Sequence, residues 1–164
     1  MGDTGPGGGT VYYVGTFVQT TTGRTLNYLE VASSNWTGGA EARVAWSGNA
    51  SSSVSGATGT AIGTGAANTS AIVANSPTAN RAATSAQAYA GGGLTDWFLP
   101  SLEELRALAS SGRGGPYNSP CYWTSSQFAA TDAYTVTMSG GASPYVAKST
   151  TRWVRPVRAF APAS

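Results

Sequence analysis

A chain of 164 residues fits one domain, and at that length about 70% of the unfolded surface can be buried, so a true core is available. Charged residues make up only 10% of the chain while glycine numbers 22, so the surface must be neutral and built from small side chains. That composition is more usual of secreted, cell-surface or virion proteins than of cytosolic enzymes. The net charge of +2 rests on eight arginines and one lysine, with Arg152, Arg155 and Arg158 as the only close cluster, which excludes the basic stripe of a nucleic-acid binder.

Cys121 stands alone, so no intrachain disulfide supports an extracellular address. No apolar run reaches membrane-spanning length, which argues against membrane insertion, and Met1-Gly2-Asp3-Thr4 lacks the basic and apolar regions of a signal peptide. The expectation is export by a non-classical or virion-borne route, or a piece of a longer protein to which Met1 was added.

Residues 1–9 read as a glycine-rich lead-in and residues 10–161 as a single domain. Gly2, Gly5 and Gly8 repeat as in collagen, but far too briefly to wind a triple helix. The simpler reading is a lead-in to the first strand, with a fibrous stalk conceivable in a parent protein. Residues 10–18 and 27–32 read as strands joined by a turn over 20–24, a terminal hairpin. Trp36 and Trp46 bracket a loop containing Gly38-Gly39. Residues 49–60 are almost entirely Ser, Gly, Ala and Thr, bury little, and read as a long surface loop. Residues 65–75 resemble a short helix with Asn68 or Thr69 near its start, and 78–90 a second, alanine-rich helix closed by Gly91-Gly92-Gly93.

The most informative run is 96–105, Asp-Trp-Phe-Leu-Pro-Ser-Leu-Glu-Glu-Leu. Pro100 forbids helix before it, Ser101 is placed as an N-cap and Glu104 as its reciprocal partner. Leu102, Leu105, Leu108 and Ala109 then share one face, Glu103, Arg106 and Ser110 meet water, and Gly112 with Gly114-Gly115-Pro116 ends the helix. Residues 122–125, 133–138, 145–148 and 152–160 read as short strands between glycine or proline turns. Helices in the middle and strands at both ends predict an α+β domain whose first and last strands pair, bringing the termini together.

Several segments together resemble one bacterial family. They are Gly2-Asp3-Thr4-Gly5-Pro6-Gly7-Gly8-Gly9 with Val11-Tyr12-Tyr13-Val14, Tyr28-Leu29-Glu30-Val31-Ala32 followed by Trp36, and Gly63-Thr64-Gly65-Ala66-Ala67-Asn68-Thr69. In the second half they are Gly93-Leu94-Thr95-Asp96-Trp97-Phe98-Leu99-Pro100-Ser101, Tyr122-Trp123-Thr124-Ser125-Ser126, and Val154-Arg155-Pro156-Val157-Arg158-Ala159-Phe160. The chain is similar throughout to the Lcl_C-type domain, the C-terminal domain of collagen-like bacterial adhesins. The resemblance implies a C-type-lectin-like fold, with small antiparallel sheets, two or three short helices, termini close together and a loop face that presents a ligand site. It implies neither a sugar nor an activity by itself.

Catalysis finds little support. The chain has no histidine, which removes Ser-His and Cys-His pairs and the commonest neutral-pH base. The carboxylates Asp3, Glu30, Glu41, Asp96, Glu103, Glu104 and Asp132 are scattered apart from Glu103-Glu104, whose side chains point in different directions. Cys121, between Pro120 and Tyr122, reads as a buried inert thiol, which fails the thiol chemistry of formylglycine-generating relatives. The Glu-Pro-Asn, Gln-Pro-Asp and Trp-Asn-Asp signatures of calcium-dependent lectins are missing, so no metal is expected in the lectin position, and no cofactor. Asp96 is expected to pair with an arginine of the last strand. Trp97, Phe98, Trp123, Trp153 and Phe160 are expected in the core, and Arg155 and Arg158 in structural ion pairs or carbonyl contacts.

Binding fits better. Between Tyr122 and Trp153, turns carry Gln127, Asp132, Tyr134, Tyr145, Lys148 and Thr150, together with Ser126 and Ser143. Tyrosine with Ser, Thr and Gly gives broad amphipathic contact at modest entropic cost, and Gln, Asp and Lys add directional hydrogen bonds. The same residues would also serve as ordinary solvated loop side chains; the resemblance is what favours a site here. The functional expectation is a non-enzymatic recognition domain of an adhesin or phage fibre, extracellular, cell-surface or virion-borne, binding a host glycan or surface protein. It would gain avidity as a homo-oligomer, a trimer or array. The alternative is a structural subunit of a virion or appendage whose loops mediate self-assembly.

Overall fold

The apolar pattern of the first strands folds as a hairpin. In a computed structural model that describes residues 2–162, β1 (Thr10–Gln19) and β2 (Arg24–Val31) pair antiparallel from Thr10↔Val31 to Gln19↔Arg24. Register shifts in β1 break strict alternation, so the consecutive Val11 and Tyr12 are both buried. The last strand, β8 (Val157–Phe160), adds to the other edge of β2. The expected pairing of first with last strand is therefore corrected: both belong to one three-stranded sheet, with β2 between them. Glu30 of β2 lies opposite Arg158 of β8, and their ion pair favours that register.

Residues 152–160, expected as one strand, form two. β7 (Arg152–Trp153) belongs to a second sheet of order β3-β7-β4-β5-β6, with β3 (Arg43–Val44), β4 (Tyr122–Gln127), β5 (Asp132–Val136) and β6 (Tyr145–Ala147). Its pairings are antiparallel except β4 with β7. Pro156 has no amide for a ladder and Arg155 turns inward, so the chain crosses from one sheet to the other.

Three α-helices lie among the described residues, completing an α+β fold. α1 (Gly65–Asn75) has the expected bounds. α2 (Ala82–Ala88) starts later than residue 78 because Asn80 is left-handed, with φ 60°, and no right-handed helix runs through it. α3 (Leu102–Ser111) carries the expected capping box: Ser101 Oγ accepts the Glu104 amide at 3.4 Å and Glu104 Oε1 accepts the Ser101 amide at 2.7 Å. Gly112, at φ 67°, ends it.

Leu102, Leu105 and Leu108 pack with Tyr12, Leu29, Tyr122 and Val157 in one apolar cluster, while Trp46, Ile72, Leu99, Trp123 and Val154 form another. β4 lies between them, sending Tyr122 to one and Trp123 to the other. Its hydroxyls then act as tethers. Ser126 Oγ donates to Gly59 O at 2.7 Å and accepts the Leu102 amide at 2.9 Å; Thr124 Oγ1 donates to Tyr134 O at 2.9 Å. Trp97, Phe98 and Trp123 are buried as expected and Cys121 is a buried free thiol. Trp153 and Phe160 are only half-buried: Trp153 sits on a short strand with its indole N–H on Ser119 O, and Phe160 stacks on Tyr28 at 5.1 Å.

Charge is buried deliberately in this core. Arg158 spans the expected partner Asp96, at 2.8 and 2.9 Å, and Glu30, at 2.7 Å. Burial works against the guanidinium charge, but the Asp96 and Glu30 carboxylates outweigh it. Arg155 pairs with the buried Glu41 and donates to the carbonyls of Gly114 at 2.6 Å and Pro116 at 2.8 Å. Glu41 also accepts from Trp36 Nε1, Asn118 Nδ2 and the Tyr122 hydroxyl.

The glycine-rich lead-in is part of this network. Gly7 and Gly9 amides donate to Glu30 Oε1 and Oε2 at 2.9 and 3.0 Å. A Cβ on Gly7 would lie 2.5 Å from the Trp97 ring and 3.0 Å from Arg158, and one on Gly5, a member of the collagen-like period, would run into the Glu30 carboxylate, so close approach requires glycine at both. Residues 49–60 form the expected surface loop, mostly exposed, with two buried anchors. They lack regular structure, yet Val54 and Ala57 are buried, because Gln127 holds both the amide and the carbonyl of Val54. Lys148 Nζ donates to Ser52 O and Gln127 Oε1, each at 3.1 Å, and sits 4.6 Å from the centre of the Trp46 ring.

Arg158→Met leaves Glu30 buried without its cation and is expected to cost about 3–5 kcal/mol in urea unfolding, whereas removing the exposed Arg106–Glu103 pair costs at most about 1 kcal/mol. Equal losses would contradict this assignment. Burial also pushes the Lys148 ammonium below its usual range, with Asp132 opposing. Between that lowered value and about 10.4 the unfolded chain binds more protons, so this group makes stability rise with pH. Burial raises Tyr12, Tyr117 and Tyr122, which opposes that rise in both wild type and variant. The wild type should therefore gain on Lys148→Met as pH is raised from about 8 to about 10 in urea titrations; parallel profiles would contradict it.

Candidate functional site

The chain leaves β4 through a tight turn in which the Phe128 and Ala129 amides both donate to Asp132 O, at 3.0 and 3.1 Å. That turn brings Phe128 back over β5 and β6, where Tyr134 and Tyr145 are direct cross-strand partners. Phe128 stacks on Tyr145 at 3.8 Å with an interplanar angle of 5°, and Tyr134 sets its ring edgewise to both, at 5.5 and 6.3 Å. Phe128 is 46% exposed and Tyr145 51%, while Trp46, Trp97 and Trp123 are essentially covered. The three rings lie together as one contiguous patch, with Phe128 and Tyr145 half-exposed, instead of being scattered singly over the surface.

The six residues expected to bind ligand are divided by the structure. Tyr134 and Tyr145 belong to the exposed cluster. Asp132 lies at its base, half-buried, in register with Ala147, and Thr150 is half-buried in the following turn, its amide on Ala147 O at 2.9 Å. Gln127 and Lys148 are corrected as surface contacts: both are buried, and their polar atoms are taken up by Val54, Ser52 and each other. Sequence spacing cannot separate an outward lysine from one that pins a distant loop. Phe128 is not among those six residues, although its place directly after the strand, in a turn ending at Asp132, is a readable signal.

The buried carboxylates are committed to partners within the fold. Glu30 and Asp96 do converge, but with Arg158 between them. Glu104 is buried, accepting amides of Ser101 and Gly63, and burial raises its pKa against those hydrogen bonds. Among the described residues, no three His, Cys, Asp or Glu side chains are grouped so as to hold a metal ion. No helix of the described residues is long and apolar enough to cross a membrane.

The model of one family, the Lcl C-terminal domain, matches residues 36–158, about three quarters of the chain. The matched span includes Glu41, the capping box of α3, the aromatic cluster and both buried arginines. No curated protein gives a significant match. With the family pattern laid over this fold, the chain belongs to the Lcl C-terminal domain family, an adhesin-type domain consistent with a surface or extracellular location.

Proposed function

We propose that this domain is a non-enzymatic recognition module of a bacterial surface adhesin or a virion fibre, and that it engages a host glycan or surface protein through Phe128, Tyr134 and Tyr145. The observation that carries the reading is the parallel Phe128–Tyr145 stack, half-exposed where the turn after β4 meets β6. Aromatic faces of this kind take either the C–H face of a sugar ring or an apolar protein side chain, and the fixed rings lose little entropy on contact. Asp132 and Thr150 offer directional hydrogen bonds at the rim. The absence of histidine from the sequence and the internal engagement of Glu30, Glu41 and Glu104 support a binding role over turnover. The resemblance to C-type-lectin-like domains supports the same assignment.

Individually weak contacts would gain avidity in a homo-oligomer or array. One observation favours the alternative of a self-assembling structural subunit: Val14 and Val18 are exposed on β1, which lies at a sheet edge. Solution mass separates the two readings, since assembly into large particles with no ligand signal contradicts a recognition role.

On a glycan array and on host-surface protein extracts, the wild type should bind saturably. Tyr145→Ala and Phe128→Ala should each weaken that binding about tenfold, with unfolding free energy changed by no more than about 1 kcal/mol. Unaltered binding in the Phe128→Ala, Tyr145→Ala double variant would contradict the assignment.

A further inference from the structure

A second surface differs from the aromatic cluster in kind and shares no residue with it. At the far end of the β1–β2 hairpin, two depressions of about 220 and 380 Å³ have Gln19, Thr22 and Asp96 in common and together form one groove. One arm runs against α1 and α2, the other along the end of β8. The Asp96 side chain is 54% exposed where the arms meet, yet it is fixed, because Arg158 Nε and Nη2 hold its oxygens at 2.8 and 2.9 Å. Each oxygen retains a second lone pair for another donor.

The polar side chains around that carboxylate are largely uncommitted. Arg24, Gln87, Ser70 and Thr95 are exposed and make no side-chain hydrogen bond within the described chain, and Gln19 uses only its carbonyl oxygen, towards Thr22 at 3.3 Å. Glu41 provides the contrast. It also borders a depression, of about 220 Å³, but its oxygens are already taken by Arg155, Tyr122, Trp36 and Asn118. The apolar lining of the groove is the half-buried Phe160, with Leu26 and Phe98 almost fully covered behind the surface.

We propose that this groove is a binding site for a neutral polyol, of the size of one or two pyranose rings. A sugar hydroxyl both donates and accepts, so it satisfies Asp96 and Arg24 or Gln87 together. Arg158 is matched by Asp96 and Glu30, which leaves the exposed Arg24 as the one unpaired charge of the lining among the described residues, screened by solvent, and a neutral ligand needs no counter-charge there. The C–H face of the ring would rest on the part of Phe160 that its stack with Tyr28 leaves open. Asp96 is the orienting acceptor, Arg24 and Gln87 the donors on opposite arms. The site extends the recognition role to a second contact on the same domain, so that one oligosaccharide or two neighbouring chains engage it at separated points.

Saturation-transfer NMR with D-galactose, D-glucose and D-mannose tests this, with D-glucuronate as the acidic control. At least one neutral sugar should bind saturably with a dissociation constant on the order of millimolar. Arg24→Ala and Gln87→Ala should each weaken it at least about threefold without shifting the urea midpoint. The Phe128→Ala, Tyr145→Ala double variant should keep this signal, which separates failure of the groove from failure of the aromatic cluster. No saturable neutral-sugar signal, binding insensitive to both groove variants, or binding of glucuronate alone would overturn the proposal.

Discussion

Arg155 and Arg158, either side of Pro156-Val157, carry two buried positive charges into the junction between the sheets. A buried guanidinium is tolerated only with its charge matched and its N–H groups satisfied. Its partners therefore have to come to it. Arg155 gathers Glu41 from the loop before β3 and the carbonyls of Gly114 and Pro116 from the segment after α3. Arg158 gathers Glu30 from β2 and Asp96 from the segment before α3. Glu30 then has acceptor capacity left over, and the amides of Gly7 and Gly9 fill it. A few residues near the C-terminus thus position segments from almost every part of the chain.

This division of labour explains why so neutral a protein leaves aromatic rings at its surface. Polar residues that look suited to ligand contact are used inside: Gln127 and Lys148 pin the loop around Val54, Asn68 holds Gly59 by both amide atoms, and Ser126 ties β4 to α3. What projects from the finished frame is the Phe128–Tyr134–Tyr145 cluster and the Asp96 groove. The first is apolar and flat; the second is polar with one fixed charge. Each is tied to the fold by hydrogen bonds: the Phe128 turn through Asp132 O, and Asp96 through Arg158.

Local chemistry was readable from the residues. The α3 cap, the Gly112 stop, the hairpin, the bounds of α1 and the pairing of Asp96 with a C-terminal arginine each follow from short-range patterns. What failed depended on tertiary partners. Nothing in residues 152–160 alone shows that Arg155 turns inward and splits the strand, because its partner Glu41 lies far away in sequence. The loop over 49–60 is mostly exposed, as its Ser and Gly content predicts; only the burial of Val54 and Ala57 depends on distant partners, Gln127 above all. Tyr134 and Tyr145 were found as contact candidates from residue type; Phe128 needed the turn geometry, and Lys148 needed knowledge of Trp46 beneath it.

Native-state hydrogen exchange at the Gly7 and Gly9 amides tests most directly whether buried charge organises the whole chain. If Glu30, neutralised by Arg158, holds the lead-in against the core, these two glycine amides should exchange as slowly as those of the central strand β4, through global unfolding. Exchange at the rate of an open loop, with β4 still protected, would contradict the account.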